Sequence, residues 1–161
     1  MTAASSAARP TPGRKVWRSV STDRCAPPPQ GDYAPAVLHA GIVHTAGMTP
    51  RRNGVLDVVG TVGADVDVET AYRAAGLAAR NAVAAVRSVQ PGGTGDVRCL
   101  QMTVYVACTA DFTSLTAVAD GATAALTEVL GPGNIPARSA IGVASLPSGA
   151  PVEVQLVAAV G

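Results

Sequence analysis

The chain is poor in the residues on which most ligand and assembly arguments rest. Aromatic residues make up 3% of it and charged residues 14%. So few aromatics leave no row of stacking platforms for single-stranded nucleic acid. They also force the core to be built from Val, Ala and Leu, with close backbone approach in place of bulky anchors. A formal net charge of +1 gives no overall field to gather nucleic acid or an anionic membrane. No apolar run approaches the roughly 18 residues of a spanning helix. The three cysteines, Cys25, Cys99 and Cys108, show no paired spacing and no CxxC, and no apolar signal-peptide core accompanies them. That pattern predicts a reducing, cytoplasmic setting. Mean hydropathy is nevertheless +0.28. The surplus apolar surface is expected at subunit interfaces.

What is present orders itself into one domain, for which 161 residues suffice. Residues 1–15 lack periodicity and predict a flexible arm, leaving 16–161 as the folded unit. Val16–Val20 reads as a short strand, and three consecutive prolines keep Asp23–Asp32 extended or turning. Val37–Thr45 reads as a strand bent at Gly41, Gly47–Asn53 as loop, and Val55–Val62 as a short strand or crossover. Asp65 or Asp67 can cap a helix over about Glu69–Ser88, whose Ala71, Ala75, Ala78, Ala82 and Val86 recur at the helical spacing. Arg73, Arg80 and Arg87 form a stripe on another face, read as solvated in preference to an RNA track.

Pro91–Asp96 is loop, without the strand and the Lys-Ser/Thr pair that a phosphate cradle needs. Val97–Cys108 alternates as the clearest strand, which places Cys99 and Cys108 on opposite faces. A second helix is expected from near Asp111 to Gly131-Pro132, with Phe112, Leu115, Ala119, Ala122, Leu126 and Val129 inward and Asp120, Thr123, Thr127 and Glu128 toward water. Strands Ala140–Ala144 and Val152–Val160 close the order. The result is an α+β domain with two helices on one face of a mixed sheet. The other face holds Gln101, Tyr105, Glu153 and Gln155 among aliphatics, which suits an assembly surface.

Asn134–Gln155 is the most informative stretch. Arg138 follows Pro136-Ala137 at the mouth of one apolar strand, and Glu153 sits inside the next. Isolated charges on aliphatic strands require compensation. A structural ion pair is one reading. The other is an anion pocket in which Arg138 grips a carboxylate and Glu153 handles a proton or a water. Other clusters carry less. His39 and His44 on one extended segment point to opposite faces, so no metal pair is expected. Asp57, Asp65, Asp67 and Glu69 suit a helix start better than a cation. Ser139 has no neighbouring histidine for nucleophilic chemistry, and Met48 and Met102 read as packing.

The run PARSAIGVASLPSGAPVEV resembles the C-terminal signature of the RidA/YjgF family of enamine/imine deaminases. Tyr33–Pro50, RNAVAAV, MTVYV followed by DF, and the LG before Asn134 fall in the family's order and spacing, so that roughly Ser21 onward is covered. The resemblance implies a homotrimer with sheets packed around the axis and sites between subunits, a small carboxylate-bearing substrate, and no cofactor or metal. It implies hydrolysis of an imine formed from a 2-aminoacrylate-type enamine, giving a 2-keto acid and ammonia. By the same resemblance Arg138 binds the substrate carboxylate and Glu153 orients or activates water. Tyr33 lines the pocket from a neighbour, Gly47 offers a close backbone N–H, and Ser139 and Ala140 flank the arginine. Two positions depart from the family pattern. Its Ser-Gly-Gln is Ala46-Gly47-Met48 here, and its frequent cysteine is Ala140. Loss of a pocket hydroxyl fits either neutral drift or a specialised biosynthetic substrate. A non-catalytic ligand-binding or RNA-binding trimer is the remaining alternative, with nucleic acid the weaker of the two.

Overall fold

The computed structural model describes residues 28–92 and 95–161. The proposed arm, the strand Val16–Val20, Cys25 and Gly93 lie outside the described residues. The elements are β1 (Ala36–His39), β2 (Ile42–Thr45), β3 (Arg51–Arg52), β4 (Val55–Leu56), α1 (Val68–Val89), β5 (Val97–Ala107), α2 (Leu115–Leu130), β6 (Ala137–Val143) and β7 (Val152–Val160). One five-stranded sheet runs β1-β2-β7-β5-β6; only the β5–β6 pair is parallel, so the sheet is mixed. Both helices cover one face, as the alternation of apolar residues required.

Local chemistry explains where elements start and stop. Asp67 caps α1 by accepting from the Thr70 N–H at 2.7 Å, whereas Asp65 accepts from the Thr61 N–H and shapes the preceding turn. The expected bent strand is instead the hairpin β1–β2, because Ala40 and Gly41 both adopt positive φ (47° and 78°) and reverse the chain. His39 and His44 therefore share the open face, contrary to their expected separation. Asn53-Gly54 makes a similar reversal within the expected loop, pairing β3 with β4, and strand structure in Val55–Val62 is confined to Val55–Leu56. α2 begins at Leu115, since Asp111 and Phe112 belong to a turn closed by the Phe112 N–H on the Thr109 carbonyl.

A register shift between Cys99 and Gln101 alters one more expectation. The extra residue, Leu100, is half-exposed and resets the alternation, so Cys99 lies in the core with Val97 and Met102. Burial pushes the Cys99 thiol up to about 11. Cys108 lies on that helix side too, beside Gly142. The core holds Met102, Leu126, Leu156 and many Val and Ala side chains. Small residues let the helices close on each other: a Cβ added at Gly121 would stand 2.0 Å from the Tyr72 carbonyl oxygen.

Candidate active site

Strand alternation in β7 sends Val152, Val154, Leu156 and Ala158 into the core and leaves Glu153 and Gln155 on the open face. Glu153 stands opposite Tyr105 of β5, half-buried and in no ion pair among the described residues. Desolvation holds its carboxyl above the ordinary carboxylate range. The neighbouring Tyr105 hydroxyl donates to Gln155 Oε1 at 3.4 Å.

Glu153 leans over Gly47, and the cause is a bulge. His44 pairs with Val157, yet Met48 exchanges both backbone hydrogen bonds with Val154, so the β2 side carries one residue more than β7 over this span. A Cβ at Gly47 would lie 1.9 Å from Glu153 Oε1, so only glycine lets the carboxyl occupy this position. Ala46 packs against the core and donates its N–H to the Pro35 carbonyl; Met48 is buried in the core. Tyr33, half-exposed, shares a small cleft with Gly47, Met48, Thr49 and Arg51 of its own chain. Two polar side chains pin that segment. Asn81 donates to the Thr49 and Arg51 carbonyls, and Arg51 donates to Thr49 Oγ1, the Gly54 carbonyl and Ser148 Oγ.

Arg138 is held elsewhere. It is the second residue of edge strand β6, in parallel register with Met102, whose side chain is fully buried under the helices. Arg138 therefore points to the helix side, where Nη1 donates to Asp120 Oδ1 at 2.8 Å and to Thr123 Oγ1 at 2.7 Å. Its side chain is 20% exposed, against 57% for Asp120. The arginine thus has an ion-pair partner, but that partner is Asp120. Ala140 lies on the same side and packs against the core, while Ser139 is exposed on the open face opposite Thr103.

Arg138 and Glu153 do not meet within one chain. They sit on opposite faces, with β5 between their strands and an offset of three positions along β5, from Met102 to Tyr105. Strand spacings of about 4.8 Å and rises of about 3.3 Å put their Cα atoms roughly 14 Å apart. The structure brings Glu153 to Gly47, Tyr33 to a cleft with Gly47 and Met48, and Arg138 to Asp120 and Thr123.

The helical pattern alone directs Asp120 and Thr123 toward water. The signal that points to them is their spacing of three, which puts both on one side of α2, together with the counter-charge that a strand arginine requires. The arginine stripe on α1 is largely compensated: Arg80 pairs with Glu128 across the helices and Arg73 with Glu69 at 3.6 Å. Among the described residues no group of three or more His, Cys, Asp or Glu could hold a metal ion, and no helix is long and apolar enough to cross a membrane.

The family model for Endoribonuclease L-PSP matches residues 24–160. A solved protein of unknown function from Agrobacterium tumefaciens is 33% identical, with 81% of this chain and 82% of that chain covered and a TM-score of 0.76. E. coli TdcF, solved with bound serine, is 24% identical, with 84% and 94% covered and a TM-score of 0.58. The YjgF gene product of E. coli is 22% identical over the same shares, with a TM-score of 0.55. No curated protein matches the chain.

Proposed function

Because the chain belongs to the Endoribonuclease L-PSP family, which is the RidA/YjgF family that its C-terminal motif resembles, we propose that it hydrolyses reactive imines to 2-keto acids and ammonia. The observation that carries this reading is Glu153: a half-buried carboxyl above a glycine, in no ion pair among the described residues, on a largely uncharged sheet face, with its pKa raised by burial. A carboxyl so placed exchanges a proton with water closer to neutrality than an exposed one, which is the property a general acid–base needs. Arg138 is the anchor for the substrate carboxylate, since a guanidinium fork matches that group in shape and charge. The two residues lie on opposite faces of one sheet, which supports a site completed between two copies of the chain. We infer a cyclic trimer in which open faces pack together and each cleft takes Arg138 from one subunit and Glu153 from the next.

In this site water adds to the imine carbon of a 2-imino acid, giving a tetrahedral carbinolamine. Glu153 accepts the proton of the attacking water and delivers it to the imine nitrogen; the hydroxyl proton of the carbinolamine then passes through Glu153 to the amine as the C–N bond breaks, leaving a 2-keto acid and ammonia. The addition is intrinsically easy, so holding and orienting the anion supplies most of what is needed. The serine bound to E. coli TdcF supports a small amino-acid-like ligand. Ammonia and keto-acid release from enzymatically generated imino acids tests the reading. Acceleration that is lost in Arg138→Ala is expected, and a wild-type protein that leaves the spontaneous rate unchanged overturns it. A specialised substrate is the second reading, favoured by Ala46 beside Gly47 where the family has serine. A large gain in simple imine hydrolysis from Ala46→Ser supports it.

The family's description also names ribonucleolysis, and an arginine track is what RNA would need. Ion pairing of Arg73 and Arg80 weakens that option for this chain.

A further inference from the structure

Among the described residues the guanidinium of Arg138 is occupied on one side. Both hydrogens of Nη1 are taken, one by Asp120 Oδ1 and one by Thr123 Oγ1. Nε and Nη2 make no hydrogen bond among the described residues. The two acceptors come from one side of α2, a helix packed on the core through Val118, Ala119, Ala122 and Leu126, so they are rigidly placed relative to the sheet. Among the described residues β6 is an edge strand, with no further strand beside it.

From this geometry we propose that Asp120 and Thr123 are positioning residues that hold Arg138 with its Nε–Nη2 edge turned to the ligand, and that Asp120 restricts this site to singly charged carboxylates. The proposal rests on the reading of Arg138 as the anchor and adds what orients and tunes it. A planar guanidinium with Nη1 fixed retains one two-donor edge, and a carboxylate matches that edge with two parallel hydrogen bonds. The charge balance then selects among anions. Arg138 and Asp120 sum to zero, so a ligand enters a net-neutral site and gains mainly from geometry. A phosphate dianion can take the same two donors, but its second negative charge meets the Asp120 carboxylate at close range, where like charges are unfavourable.

The test is titration of the full chain with 2-oxobutanoate and, separately, with inorganic phosphate. The wild-type protein is expected to bind 2-oxobutanoate at least tenfold more tightly than phosphate. Asp120→Asn keeps an acceptor for Nη1 but removes the charge, and should raise affinity for phosphate relative to 2-oxobutanoate by about tenfold. Thr123→Val frees one Nη1 hydrogen and should weaken 2-oxobutanoate about tenfold, with Thr123→Ser restoring it. An unchanged affinity ratio in Asp120→Asn, or wild-type affinity in Thr123→Val, overturns the proposal. Arg138→Ala separates the two layers. If it abolishes 2-oxobutanoate binding while the Asp120 and Thr123 variants behave as wild type, the anchor stands and the positioning roles fall. If it binds as wild type does, both fall.

Discussion

Glu153 and Gly47 make one unit, and each predicts something about the other. Burial raises the Glu153 pKa, which means the folded state prefers the neutral acid. Its contribution to stability is therefore fully present below the ordinary glutamate pKa and is lost as pH rises through the folded value. Glu153→Gln, which stays neutral, should be more stable than wild type at neutral pH, with the difference vanishing in acid; denaturant titrations from pH 4 to pH 8 measure this. The same variant should lose about a hundredfold or more in imine hydrolysis, the usual scale for removing a general acid–base. A drop in stability at neutral pH would show that the carboxylate is held by favourable contacts instead. At Gly47 a methyl would occupy the space of the Glu153 carboxyl, 1.9 Å from Oε1. Gly47→Ala should thus displace the acid and depress activity as strongly as Glu153→Gln. The acid is half-exposed and can swing aside, so melting should change little.

At the scale of elements, the contact between α1 and α2 depends on having almost no side chain in between. Gly121 abuts the Tyr72 carbonyl, a backbone atom that cannot rotate away, so Gly121→Ala must push the helices apart. Such overpacking costs about 1–3 kcal/mol, readable as a lower urea midpoint with an unchanged slope. The Ala and Val repeat made both helices and their inward faces legible in the sequence, because period and burial are the same information. The alternation in β5 and β7 likewise revealed the open face with Tyr105, Glu153 and Gln155. What periodicity does not carry is the effect of one inserted or reversed residue. The bulge at Leu100 moved Cys99 into the core, the Ala40-Gly41 reversal turned one strand into two, and the bulge before Met48 set Gly47 under Glu153. Partner choice was equally hidden: Arg138 was legible as a charge needing company, but its partners sit on an element that comes earlier in the chain, and only the packing of α2 against β6 brings them there.

At the scale of the whole molecule, the sheet exposes on one side a surface of Val37, Ile42, Thr103, Tyr105, Glu153, Gln155 and Val157 that the helices do not cover. A face with so little charge, its acid in no ion pair among the described residues, suits burial against copies of itself. Complementation distinguishes a site between chains from a site within one. Arg138→Ala retains Glu153, and Glu153→Gln retains Arg138, so neither protein alone holds an intact pair. In a cyclic trimer assembled from both, each mixed ring has one cleft with Arg138 from one chain facing Glu153 from the other. Random co-assembly in equal amounts would give about a quarter of the wild-type number of complete sites, since three rings in four are mixed and each has one intact cleft in three. Co-expressed variants, purified through a tag on each, should therefore regain imine hydrolysis that neither parent shows. Introducing Val157→Asp into both chains should abolish that recovery, because a charge on the packed face opposes assembly, and light scattering should then report the mass of a single chain. Co-assembled rings no more active than their parents would mean that Arg138 and Glu153 do not serve one cleft.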